Sequence, residues 1–178
     1  PQLSFEVTRA AKGGRGLSRE VQAVAMIPGT GEYSLATTPV SYDFGMGEMQ
    51  VVNRNTPIAG TDFQASMQIL GRELPRVESV SLVVSWFGDD LRVGECTVQP
   101  KIEDASREGY GMDWRAGGVG RDQVAEVARV NDRPIYGGTP ADGSVIEALN
   151  AIRESGRKAV FYPFILMEQL AGNARRHP

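Results

Sequence analysis

The sequence predicts an α/β protein, and three stretches of the chain indicate this class. Val80–Phe87 and Lys158–Met167 are nearly continuous apolar segments, as expected of parallel strands that are buried on both faces. Between them, Ala141–Glu154 has the periodicity of an amphipathic helix. A helix, a short turn and a buried strand form half of a βαβ unit, so the sequence favours a parallel sheet with helices packed on it.

The first part of the chain predicts short elements. Leu3–Thr8 alternates apolar and polar residues like a strand, and the basic, glycine-rich Ala10–Gly16 is typical of a linker. Ser18–Met26 fits either a short helix or a strand. Met49–Val52 has the composition of a further short strand.

Two amphipathic helices are expected. The first covers Thr61–Leu74, with Thr61 or Asp62 as its N-cap and Pro75 at its end. Its apolar stripe contains Phe63, Met67, Leu70 and Leu74. The second is Ala141–Glu154, which Gly156 ends as a C-cap residue. Its buried stripe contains Val145, Ala148, Leu149 and Ile152.

The long segment between the first apolar strand and the second helix predicts irregular structure. Glu95–Ile102 has a strand-like pattern, and Ala105–Gly120 is a glycine-rich loop. Arg121–Val130 has the pattern of a helical piece, and Pro134–Tyr136 is expected to be extended.

Composition excludes several classes of function. The net charge of -3 does not favour a nucleic-acid partner. The chain has one cysteine, Cys96, and one histidine, His177, so a disulfide framework and a cysteine-rich zinc site are excluded. We therefore expect neither a metal nor another cofactor. The longest apolar run, near Ala159–Met167, is too short to cross a bilayer, so no transmembrane segment is expected.

Three blocks of the sequence resemble a known family. They are Val80–Cys96, the Pro134–Met167 block with Tyr136-Gly-Gly-Thr-Pro140 and Tyr162-Pro-Phe-Ile-Leu-Met167, and Ile27-Pro-Gly-Thr-Gly-Glu-Tyr33. Together they resemble the large tail-tip (baseplate "megatron") protein of gene transfer agents and related siphophages. That family carries a TIM-barrel domain similar to glycoside hydrolases.

The resemblance implies the opening β/α units of a TIM-barrel-like domain, over residues 61–178, after a short mixed β/α lead-in over residues 1–60. It also implies a virion or virus-like tail tip as the location, synthesis in the bacterial cytoplasm, and other tail and baseplate proteins as partners. A complete barrel needs roughly 250 residues in eight units. Residues 77–178 have room for about three such units, so we expect an incomplete barrel with unpaired strand edges.

Candidate catalytic residues follow the two apolar strands, because barrel enzymes place catalytic groups where strands end. Asp89 and Asp90 follow the first strand, and Glu168 follows the second. A glycosidase needs two carboxyl groups on either side of the scissile bond. Adjacent residues of an extended segment point in opposite directions, so Glu168 with one of the two aspartates is the more plausible pair. The structural alternative is turn chemistry, since Asp after Gly commonly bonds to nearby backbone N–H groups.

Candidate substrate-binding residues are Trp114, Tyr136 and Arg92. An aromatic ring suits the apolar face of a sugar, and Trp114 lies in a polar loop where we expect it to be exposed. Arg92 has the chemistry to bind a carboxylate of an acidic glycan, although solvated surface charge is the simpler interpretation. Trp86 and Tyr162 lie within apolar strands, and for them core packing is expected.

Three hypotheses for the function remain open at this stage. The leading one is a segment of a tail-tip baseplate hub protein that contacts and penetrates the cell envelope. The alternative is a glycoside hydrolase that cuts peptidoglycan or a surface polysaccharide. An intermediate hypothesis is a barrel that binds cell-wall or surface glycan without cleaving it. The three share a fold, and fold by itself does not decide function.

Overall fold

The structure is a computed structural model that describes residues 16–27, 29 and 31–168. In that part of the chain the α-helices are α1 (Leu17–Glu20), α2 (Asp62–Glu73) and α3 (Asp142–Glu154). The strands are β1 (Ala23–Met26), β2 (Ser41–Asp43), β3 (Met49–Val51), β4 (Ser79–Gly88), β5 (Val98–Gln99), β6 (Arg115–Ala116), β7 (Val119–Gly120), β8 (Arg129–Val130), β9 (Arg133–Pro134) and β10 (Lys158–Met167). A 3₁₀ turn covers Arg121–Gln123. The strand predicted at Leu3–Thr8, most of the linker after it and His177 lie outside the described residues.

The central sheet has the order β1-β4-β10, and these three strands are parallel, as the sequence predicts for an α/β protein. β10 pairs with β4 over ten residues, from Lys158 opposite Ser79 to Met167 opposite Gly88. The short β5 adds an antiparallel pair at the end of β4. The described strands do not close into a barrel, so the structure shows an open α/β sheet.

Both predicted helices form and cover one face of this sheet. The N-cap of α2 is Thr61, whose side chain accepts a hydrogen bond from the Gln64 N–H. After α3 the chain turns at Gly156, whose φ of +81° is strained for any residue with a Cβ. The main core lies between the helices and β4, and it contains Leu35, Phe63, Val77, Val80, Leu82, Val84, Val145, Ala148 and Ile152.

The expectation that β10 is buried on both faces is wrong for the described part of the chain. In a parallel pair, opposite residues share a face, so Phe161 and Ile165 lie on the helix side and Tyr162 lies on the other side. All three are about half exposed, at 50%, 48% and 47%. The expected core role of Tyr162 is therefore also wrong. The physical reason is position: β4 has neighbours on both edges, whereas β10 is the last strand of the described sheet.

The loops that follow β1 and β4 fold together into a second unit, which we call the cap (residues 31–61 and 89–141). A hairpin of β2 and β3 comes from the first loop, and Ser41 exchanges two backbone hydrogen bonds, of 3.0 and 2.8 Å, with Tyr110 of the second loop. The core of the cap contains Tyr33, Ala36, Val40, Tyr42, Ile102, Trp114, Ala116 and Ala141. β1, from the predicted lead-in, and β5, from the cap, both pair with β4.

The cap differs in detail from the sequence prediction. Arg121–Val130 forms only a 3₁₀ turn over its first three residues and then runs into β8, so the predicted helix is wrong there. The strand predicted over Glu95–Ile102 shrinks to the two residues of β5. Ser18–Met26 contains both alternatives in succession, α1 and then β1.

Candidate functional site

The carboxyl ends of β4 and β10 bring two of the candidate catalytic residues to one edge. Gly88 lies opposite Met167, and the Glu168 N–H donates to the Gly88 carbonyl oxygen over 3.0 Å. Asp89 and Glu168 therefore follow on neighbouring strands, whose axes lie about 4.8 Å apart. The structure thus places this pair side by side at the carboxyl edge of the parallel sheet.

Glu168 is held by the cap. Its Oε2 pairs with the Lys101 ammonium group, and its Oε1 accepts a hydrogen bond of 3.0 Å from the Ala128 N–H. The two side chains of the ion pair are only 11% and 12% exposed. Breaking a shielded pair by removing one partner leaves an uncompensated charge. The contacts of Glu168 therefore fasten the cap to the end of β10.

Asp90 is buried and bound to Arg92, two residues further along. The Asp90 carboxylate accepts from the Arg92 backbone N–H at 2.9 Å, from Nε at 3.0 Å and from Nη2 at 2.6 Å. This two-pronged contact raises the pKa of the Arg92 guanidinium through the hydrogen bond and the charge of Asp90. Arg92, a candidate glycan ligand, is 61% exposed and already holds a carboxylate of its own chain.

Asp89 makes a turn contact. Its Oδ1 accepts a hydrogen bond of 2.8 Å from the Thr97 N–H, which closes the loop between β4 and β5. This is the backbone-bonding chemistry that an aspartate after a glycine favours. All three candidate carboxylates therefore accept hydrogen bonds within the protein. At this edge of the sheet they bind the N–H groups of neighbouring loops and so attach those loops to the sheet.

The aromatic candidates differ from each other. Trp114 is only 4% exposed, and its Nε1–H donates to the Thr139 carbonyl oxygen over 2.9 Å, so the expected exposure of this ring is wrong. Tyr136 lies beside Phe87, with ring centroids 6.0 Å apart. It lines a mostly apolar cavity of about 190 Å³ together with Phe164 of β10. Of the three predicted substrate-binding residues, Tyr136 is the one that lies on a cavity near the strand ends.

The cap contains a buried ion pair that the sequence did not predict. Glu32 is fully buried and pairs with Arg121, whose side chain is 13% exposed. Glu32 Oε1 also accepts a hydrogen bond of 2.7 Å from the Glu103 N–H, and Arg121 donates to the Asp104 carbonyl oxygen over 2.6 Å. Glu32 lies among glycines in sequence, where a charge is normally exposed, so no local signal could have found this pair.

The electrostatics of the cap follow from burial. Burial raises the pKa of the Tyr33 phenol to about 12 and also raises that of Tyr42. Burial raises the pKa of Glu32 as well, and the hydrogen bond and charge of Arg121 oppose that rise. Both phenols therefore stay protonated at neutral pH and cannot act there as bases.

Among the described residues, no group of three or more His, Cys, Asp or Glu side chains is placed to hold a metal ion. None of the helices in that part of the chain is long and apolar enough to span a membrane. No protein-family model matches the chain, and no curated protein matches it either.

Proposed function

We propose that this chain is a segment of a phage-like tail-tip protein, located in the baseplate hub and made in the bacterial cytoplasm. The proposal takes its identity from the three sequence blocks, Ile27–Tyr33, Val80–Cys96 and Pro134–Met167, that resemble the tail-tip family. Its partners would be other tail and baseplate proteins, with cell-wall or surface glycan as a further contact. In this role the open sheet is the beginning of a TIM-barrel-like domain.

The observation that carries this proposal is the exposure of β10. This strand has the apolar composition of a strand buried on both faces, yet Phe161 and Ile165 are exposed on one face and Tyr162 on the other. Its inner neighbour β4 has the same type of sequence and is largely buried. A further parallel strand and its helix, added at the outer edge of β10, would bury these residues as β10 and α3 bury β4.

Localisation in purified particles tests the proposal. Antibodies raised against the 178-residue chain should label the distal end of the tails of phage-like particles from the source bacterium in electron micrographs. Labelling of the capsid, or detection of the protein only in particle-free cell lysate, would contradict the proposal.

The alternative function is a glycoside hydrolase, and one observation favours it: Asp89 and Glu168 follow neighbouring parallel strands at the carboxyl edge. The contacts of Glu168 with Lys101 and of Asp89 with Thr97 favour a structural role instead, in which these carboxylates attach loops to the sheet. Asp89→Asn and Glu168→Gln, introduced separately into the protein that carries this chain, distinguish the two. Loss of lysis of purified sacculi in a folded variant would establish the hydrolase, and unchanged lysis would exclude these residues as catalysts.

A further inference from the structure

The cap contains a pocket that none of the strand-end candidates lines. It has a volume of about 230 Å³ and lies between the β2–β3 hairpin, residues 31–34 and the loop that carries Glu103 and Arg107. We call it the hairpin pocket. Its wall includes Tyr42 and Phe44 from one side of the hairpin and Gln50 from the other.

The hairpin presents an aromatic and polar face to this pocket. Tyr42 lies opposite Gln50 in the antiparallel register, and Phe44 comes two residues after Tyr42, so the three side chains share one face. The Arg107 guanidinium carbon lies 5.1 Å from the centre of the Phe44 ring and 6.0 Å from that of Tyr42. Phe44 is nevertheless 45% exposed, so a ligand can reach its ring.

Most charges around the pocket are paired inside the protein. Arg107 Nε lies 3.2 Å from an Asp104 carboxylate oxygen, and Glu32 is paired with Arg121. Glu103 Oε1 accepts a hydrogen bond of 3.2 Å from the Gly138 N–H, but Glu103 has no ion-pair partner among the described residues, so its negative charge opposes an anionic ligand. A neutral ligand with several hydroxyl groups would meet hydrogen-bond donors and acceptors on the side chains of Gln50 and Arg107.

We propose that the hairpin pocket binds one pyranose unit of a neutral glycan. The exposed ring of Phe44 offers a flat apolar surface to the C–H face of the sugar. The Gln50 amide, which has no hydrogen-bond partner among the described residues, and the terminal N–H groups of Arg107 bind its hydroxyl groups. The volume is smaller than the roughly 300–1,000 Å³ of pockets that enclose drug-sized ligands, which limits the site to about one ring. The inference deepens the glycan contact of the proposed function, on which it rests, and it uses a site separate from the strand-end carboxylates.

A titration of the 178-residue chain with N-acetylglucosamine and with methyl β-glucopyranoside tests this proposal. Binding is followed by nuclear magnetic resonance through the signals of the Gln50 side-chain amide and the Phe44 ring. We expect saturable shifts of these signals, with dissociation constants in the range of about 1 mM that a single small ring can reach. Phe44→Ala and Gln50→Ala should each weaken binding about two- to tenfold.

Phe161→Ala is the matched control, because Phe161 is also about half exposed but lies on β10, away from the pocket. It should leave sugar binding unchanged. The proposal is overturned if neither sugar shifts the Gln50 and Phe44 signals, or if Phe161→Ala weakens binding as much as Phe44→Ala. Adenosine is titrated as a flat aromatic comparison, and preferential binding of adenosine would also overturn the proposal. The test is independent of particle localisation, so its failure and that of the proposed function are distinguishable.

Discussion

Glu32 shows how much one residue of the cap contributes to the stability of the fold. Its fully buried carboxylate faces Arg121, so Glu32→Gln leaves a guanidinium in the protein interior without its counter-charge. We expect this change to lower the free energy of unfolding by about 3–5 kcal/mol. Urea denaturation followed by circular dichroism measures it.

Glu73→Gln is the control for this prediction, since it makes the same change in an ion pair, that of Glu73 with Arg72. Both side chains of this pair are exposed, at 61% and 74%, so water replaces much of what each loses. Its cost should be only about 0–1 kcal/mol. Equal costs for Glu32→Gln and Glu73→Gln would contradict the assignment of Glu32 to a buried pair.

Glu147 on α3 connects the cap to the main helix layer. Its Oε2 accepts from the backbone N–H groups of Thr37 and Thr38 at 2.7 and 2.9 Å, and the hydroxyl groups of both residues bond to the same carboxylate. Burial alone would raise the pKa of Glu147, but these hydrogen bonds outweigh it and lower the pKa below its usual 4.5. The stabilisation that the charged Glu147 carboxylate contributes is therefore fully present at pH values above the usual pKa. It is lost as the pH falls through the lowered pKa of the folded protein.

Glu147→Gln should accordingly lower the free energy of unfolding at pH 7 by about 1–3 kcal/mol. The difference from the unchanged protein should shrink as the pH is lowered below about 4. Denaturant titrations at several pH values measure both effects. Glu154→Gln, an exposed change on the same helix, should show neither of them. A Glu147→Gln cost that is independent of pH would rule out a role for the charged carboxylate.

At the scale of elements, the two edges of β10 differ in hydrogen bonding, since one edge pairs with β4 and the other has no neighbouring strand among the described residues. The N–H groups of Lys158 and Glu168 both point to β4, so alternation directs those of the even-numbered residues inward and those of the odd-numbered residues outward. Pro163 occupies an outward position, where its missing N–H costs no bond to β4. A strand added at this outer edge would accept hydrogen bonds from the outward N–H groups of Phe161 and Ile165, which lie on either side of Pro163.

Hydrogen exchange should show this alternation in the 178-residue chain. We expect the outward amides of Phe161 and Ile165 to exchange at least about 100-fold faster than the inward amides of Tyr162 and Phe164. Residue-resolved exchange by nuclear magnetic resonance measures the rates. Equal protection of both sets would mean that the outer edge of β10 is already covered.

At the scale of the whole molecule, an apolar strand at the edge of a sheet promotes association. Ile165→Lys places a charge on the exposed helix-side face of β10 and should weaken self-association of the chain about tenfold or more. Sedimentation velocity over a range of concentrations measures this. Ile146→Lys is the matched control, because Ile146 is 58% exposed on α3 and lies outside β10. Equal effects of the two changes would exclude β10 as the associating surface.

The sequence by itself determined the α/β class and, to within one residue, the bounds of α2, α3, β4 and β10. It also predicted that Glu168 and one of the two aspartates, Asp89 or Asp90, follow neighbouring strands. These features depend on local periodicity, capping residues and the rule that parallel strands end together. Only the tertiary structure decided that β10 is exposed and Trp114 buried, that Arg121–Val130 is not helical, and that Glu32 faces Arg121. Each of these depends on contacts between residues far apart in the chain, because a neighbouring strand, a loop core or a counter-charge leaves no signal in the local sequence.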